Sequence, residues 1–298
     1  MNGKARKHGS TALVALFAGA AAIACSALFV KVSEAGPVST AFWRVCLALP
    51  VLWAWAAWDA RRNPRAATKR DLRLMSLAGF WFAGDLAFWH WSIVLTSVAN
   101  AVLLANCAPI FVALAAWLLY RRPPSGHFLA GLATALAGMF LLLRGDVDIS
   151  GALLGDALGL VTAVFYAAYQ LTVTRARATV STARLMAVSA TVCAAILLPI
   201  ALVSGERFLP VTPHGWLLLA GLALISHVIG QSLIAYALAH LPSTFASVAL
   251  LAQAVMAAAL AWILLDETLT ALAIVGGVLV LAGIRITHSA QRTARPIV

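Results

Sequence analysis

Asp85 is the residue of this chain whose chemistry most needs explaining. It sits in the run Asp85 to Pro109, DLAFWHWSIVLTSVANAVLLANCAP, where apolar sequence also holds Trp89, His90, Asn100 and Asn106. Ionisable and amide groups at membrane depth are costly, so they face a bundle interior or a wet cavity rather than lipid. There a carboxylate carries a proton, pairs with a substrate ammonium, or stays as a structural acid bonded to a neighbouring helix. Helical spacing puts Trp89 and Ser92 on the face of Asp85, at i+4 and i+7. His90 is one step to the side. An imidazole there either titrates near neutral pH or makes a fixed bond between helices. Trp81, Trp89 and Trp91 form an aromatic wall, able to hold a cationic amine over a ring face, or an interfacial belt. Asn106 lies one turn before Pro109, whose missing N–H loosens the preceding turn.

Farther along, His227 and Gln231 stand at i, i+4, and Gln253 lies in the next apolar run. Tyr166 and Gln170 share a helical face, with Tyr169 beside them. Singly these are packing residues. Together they set polar groups at similar depth in both halves of the chain, as a site near the midplane requires. Asp156, near the end of its apolar run, reads as a wetted structural acid. No HExxH, nucleophile elbow, P-loop or paired-carboxylate spacing is present, so neither catalysis, ATP nor a bound cofactor is expected. Cys25, Cys46, Cys107 and Cys193 lack the spacing of a metal site.

Composition sets these residues in a bilayer. Of 298 residues 63% are hydrophobic and 10% charged, with mean hydropathy +0.95. This is the balance of a polytopic membrane protein, all-α, with ten transmembrane helices. The spans run 11–31, 39–58, 73–95, 98–120, 125–143, 151–174, 181–203, 215–240, 243–265 and 269–287. The first follows Lys4, Arg6 and Lys7 but is too long for a signal-peptide core, so it reads as a retained helix. Short connections make successive spans antiparallel. The net charge of +11 lies in these loops without interleaved aromatics, which makes it an orientation signal rather than a nucleic-acid surface. With both termini in the cytoplasm, 17 of the 21 Lys and Arg residues fall inside. The expected location is the inner (plasma) membrane.

The chain also resembles itself. Val38–Ala41 (VSTA) recurs at Val180–Ala183, Ala116-Trp117 recurs at Ala261-Trp262, and Gly131 and Gly138 match Gly276 and Gly283. A five-span unit crosses an odd number of times, so its second copy enters from the other side. The expected organisation is two five-helix inverted repeats, residues 1–146 and 147–298. Such repeats are typical of secondary transporters that hold substrate between their halves.

Ten spans as five plus five, together with TSVANAVLLANCAPIFVALAAWLL and its counterpart LPSTFASVALLAQAVMAAALAWILLDETLTALAIVGGVLVLAGI, resemble the EamA family of the drug/metabolite transporter superfamily. The counterpart carries the acidic pair Asp266-Glu267. Within that family, AVFYAAYQLTVTRAR at 163–177 is most similar to YddG-type amino-acid exporters. The resemblance implies an aromatic cavity position at Tyr166. Cys25 stands where many relatives have tryptophan, and Ala254 where a proline is expected opposite Pro109. The implied function is export of a small molecule, an aromatic or other apolar amino acid first, by alternating access in the lipid bilayer, driven by protons or by no coupling ion. A carrier of a sugar or nucleotide derivative is the alternative within transport. A membrane-embedded enzyme or assembly protein is the alternative outside it.

Overall fold

A computed structural model describes residues 2–121, 123–143, 152–265 and 269–293; among these there is helix and no strand. The pair Asp266-Glu267 lies outside the described residues. Helix α1 is Asn2–Lys31. The second crossing is broken into α2 (Pro37–Cys46) and α3 (Leu49–Arg62), with Pro37 and Pro50 in their first turns. There the missing N–H costs no bond. Helix α4 (Lys69–Leu95) starts at a capping box in which Thr68 and Asp71 satisfy each other's backbone.

The fourth crossing is α5 (Val98–Ala105) and α6 (Ala108–Tyr120), and α7 is Gly126–Leu143. Helix α8 (Leu153–Arg177) opens the second half, followed by α9 (Thr182–Val203). The eighth crossing is α10 (Pro213–Gly221), a π-helical stretch Leu222–Gln231, and α11 (Ser232–Ala237). The ninth is α12 (Ser243–Ala249) and α13 (Ala252–Leu265), and α14 is Ala271–Thr293.

Among the described residues nine segments are long and apolar enough to cross a membrane. The remaining crossing, the third, is α4, diluted by Asp85 and His90 and so not among the nine. The fold is thus all-α, ten helices in two five-helix inverted repeats. Contacts follow that symmetry. The π stretch and α11 pack on α1 as α4 packs on α8, α13 packs on α1 as α6 packs on α8, and α2 with α3 packs on α9. The fourth and ninth crossings break at equivalent places, Asn106–Cys107 and Leu250–Leu251, although only the first is followed by a proline. Ala254 therefore does not remove the break.

The fifth and tenth crossings, α7 and α14, meet through matched glycines. A Cβ at Gly131 would lie 2.9 Å from the Gly283 carbonyl oxygen, and one at Gly138 would lie 2.6 Å from that of Gly276. The reverse distances, from Gly283 and Gly276, are 2.5 and 2.6 Å. The backbones touch, as small residues at a membrane helix interface allow. Outward faces carry exposed apolar chains such as Leu154, Leu202, Leu217 and Val278, the surface that lipid covers.

Candidate functional site

A cavity of about 240 Å³ opens where the two halves meet. Its polar wall holds Asp85 on α4, Asn106 at the α5–α6 break, Tyr166 and Gln170 on α8, Gln231 at the end of the π stretch and Gln253 on α13. Phe82, Trp89, Leu250 and Leu251 supply the apolar wall. Residues far apart in sequence are brought within one small volume, bordered by the breaks of the fourth and ninth crossings and by the end of the π stretch. The Asn106 amide donates to the Val102 carbonyl at 2.8 Å, capping the end of α5 beside the cavity. Tyr166 faces Gln253, joining α8 to α13.

The histidines are elsewhere. His90 is buried on the back of α4, its Nδ1 against the Leu86 carbonyl at 2.6 Å, and it is not among the lining residues. His227 is also off the wall, 5.6 Å from the Phe82 ring between centroids. Gln231, four residues on, reaches the wall, whereas His227 packs behind it.

Ser92, expected on the Asp85 face, donates instead to the Gly155 carbonyl at 2.8 Å and pins α4 to α8. Of the three tryptophans only Trp89 lines the cavity. Trp81 packs edge-on against Phe165, 5.2 Å between centroids, and Trp91 is 40% exposed at the outer surface. Asp156 holds the α4–α5 turn, accepting from Thr96 at 2.9 Å and Asn100 at 3.1 Å.

Arg44 on α2 lines the same cavity and was absent from the sequence-derived set. Its only signal is that it is the one Lys or Arg inside a span core. It is 8% exposed, and its Nε is buried without a hydrogen-bond partner. Arg44 and Asp85 both border the cavity, yet no direct ion pair joins them among the described residues.

The two ends of the molecule differ. Near the termini, α12 leans across the centre onto α6 and α8, and Phe245 to Ala249 are all buried. At the opposite end its repeat counterpart α5 lies against α8 and makes no comparable contact with α13 or α1. Val98 at its start is 58% exposed. The cavity is sealed toward the termini.

The second and seventh crossings are clasped at both ends. At the end bearing the termini, Ser181 donates to Asp59 at 2.5 Å and Thr179 to Asp71 at 2.6 Å. At the other, Glu34 accepts from the Val211 and Thr212 backbone at 2.8 and 2.9 Å, and Glu206 accepts from Val38 N–H at 2.9 Å. These crossings form a frame while α5 and α12 differ. The Thr179 hydroxyl, with the Thr68 backbone and hydroxyl, holds Asp71 down at about 2. A depressed carboxylate stabilises the fold fully above its unfolded value, roughly 4, and that share is lost only as pH falls through the folded value. Asp71→Asn should therefore lower the melting temperature equally at pH 5.5 and pH 8. A loss confined to one of those pH values would contradict this clasp.

Comparison with known proteins decides the family. The model of the EamA-like transporter family matches residues 10–144 and 153–288. The chain belongs to that family. Among EamA relatives, an uncharacterized transporter of Archaeoglobus fulgidus is 28% identical over 274 residues, 89% of this chain and 93% of its own. A second uncharacterized transporter of that organism is 28% identical over 222 residues, 74% and 78% respectively. A crystal structure superposes with a TM-score of 0.77 at 18% identity, over 99% of this chain and all of the other, which speaks for the fold alone. The chain is thus a multi-pass membrane transporter.

Proposed function

We propose that the chain is a secondary carrier rather than an enzyme, exporting amino acids across the inner membrane by alternating access, with both termini in the cytoplasm. The observation that carries this reading is the cavity between the repeats, which combines aromatic and aliphatic walls with one cation and one anion. An aromatic or other apolar amino acid has the matching parts. The likeness of residues 163–177 to YddG-type exporters supports the same substrate class, and the two family matches, 10–144 and 153–288, support a division at 146/147 with the site between the two units. Asp85, Trp89, Asn106, Tyr166, Gln170, Gln231 and Gln253 form the binding wall in this reading. His90 and His227 stand behind it.

With basic loops inside, the sealed end is cytoplasmic and the cavity faces outward. Asp85 is then also the group placed to couple protons. Reporter fusions after Arg65 and after Gly205 should report opposite compartments; a shared compartment would remove this orientation.

The test of function is counterflow in proteoliposomes with a panel of labelled amino acids, sugar derivatives and nucleosides. Exchange of apolar amino acids is the expected result. Exchange of sugar derivatives alone would favour the second reading, which the amides of Asn106, Gln170, Gln231 and Gln253 support. Phosphorylated substrates are disfavoured, since anionic phosphates call for more than one Arg or Lys. Tyr166→Ala should change selectivity among amino acids while folded yield stays near normal, because the ring borders the cavity. Unchanged selectivity, or loss of folded protein, would assign Tyr166 to packing.

A further inference from the structure

We propose that Arg44 and Asp85 are a two-point clamp for a zwitterion, Arg44 taking the carboxylate and Asp85 the ammonium of an α-amino acid. The inference rests on the amino-acid reading above and deepens it.

Burying a guanidinium is costly unless partners compensate it. Arg44 is deep in the bundle, more than nine-tenths buried, and its Nε finds no protein partner. Asp85 shares the cavity, and no hydrogen bond or ion pair to it occurs among the described residues. The two side chains border the same cavity but do not meet. A direct pair would satisfy both and leave nothing for a ligand. The separation leaves one cation and one anion facing a shared space of about 240 Å³.

Both positions are particular to the first half. At the repeat offset Gly230 replaces Asp85, and it packs on α1 with its would-be Cβ 2.8 Å from Ile23. One oriented pair of charges therefore exists, with amides and hydroxyls elsewhere on the wall. A ligand bearing both charges compensates both residues. A ligand with one charge leaves a buried ion exposed to an unfavourable site, the circumstance in which polar sites discriminate most strongly.

The experiment is competition in phenylalanine counterflow by the full-length protein in liposomes. The competitors are phenylalanine, phenylalaninamide, phenethylamine and 3-phenylpropionate. Phenylalanine should compete roughly 100-fold better than each singly charged analogue. Arg44→Gln should narrow the gap to phenylalaninamide and phenethylamine while the gap to 3-phenylpropionate remains. Asp85→Asn should do the converse.

A merely structural role would weaken all four competitors alike in a variant, and that outcome overturns the clamp. Equal competition by phenylalanine and its amide in the unmodified protein also overturns it, without need of any variant that folds. Amino-acid exchange would survive in that case, so the functional reading would stand. Exchange of another compound class with none by amino acids would overturn both.

Discussion

Leucine in place of Gly276 should leave little folded protein in the membrane. A Cβ at 276 would sit 2.4 Å from the Leu142 amide nitrogen and 2.6 Å from the Gly138 carbonyl oxygen. Both are backbone atoms and cannot rotate away, so α7 and α14 would have to separate. Overpacking a fitted core typically costs about 1–3 kcal/mol, and here the displaced contact joins the two halves. Gly277 is the internal control. Its would-be Cβ meets only the Val255 side chain, at 3.3 Å. Gly276→Ala should lower the melting temperature of the detergent-solubilised protein well below that of Gly277→Ala, and Gly276→Leu should lose the monodisperse peak in size exclusion. A normal peak and melting temperature for Gly276→Leu would refute the close α7–α14 contact.

Tryptophan at Ala105 should fail in the opposite way, with folded yield kept and transport lost. Ala105 borders the cavity at the end of α5, beside Asn106. A large ring there enters the cavity proposed for substrate rather than space already packed, so the overpacking term that acts at Gly276 is small. Counterflow should fall to the protein-free background while size exclusion and thermal melting stay near the unmodified values. Retained counterflow would mean that the cavity is not the route. Loss of folded protein would mean that Ala105 faces a packed neighbour.

The contrast between these two positions also marks what can be read from the sequence. The matched glycines of α7 and α14 were visible as a repeat, because an inverted pair meets itself across a symmetry axis. Asp85 and Trp89 followed from α-helical spacing, since α4 is regular there. His227 did not follow, because its packing against Phe82 on α4 is a tertiary contact that spacing within one helix cannot show. Arg44 was visible as a lone in-span cation, but its place on the wall depends on how α2 ends at Cys46 and packs on α9, which is tertiary information. The break at Leu250–Leu251 was likewise hidden, since the proline that marks its counterpart is absent.

The unequal ends of α5 and α12 have a consequence for resting populations. Reversing the seal would require α5 to leave α8 and to cross the centre as α12 does now. Asn100 would then give up Asp156, to which it donates at 3.1 Å. At the sealed end Phe245 stacks on His288, 5.2 Å between centroids. The corresponding residues of the first half are Asn100 and Leu143, which offer no such ring pair. The two seals are thus alike in geometry and unlike in energy, and the unloaded protein should dwell with α12 closed. A ligand can shift that balance only by its difference in affinity for the two arrangements. Turnover is then governed by how steeply substrate favours the rarer one, and a carrier whose empty form favours one arrangement spends most of its cycle returning to it.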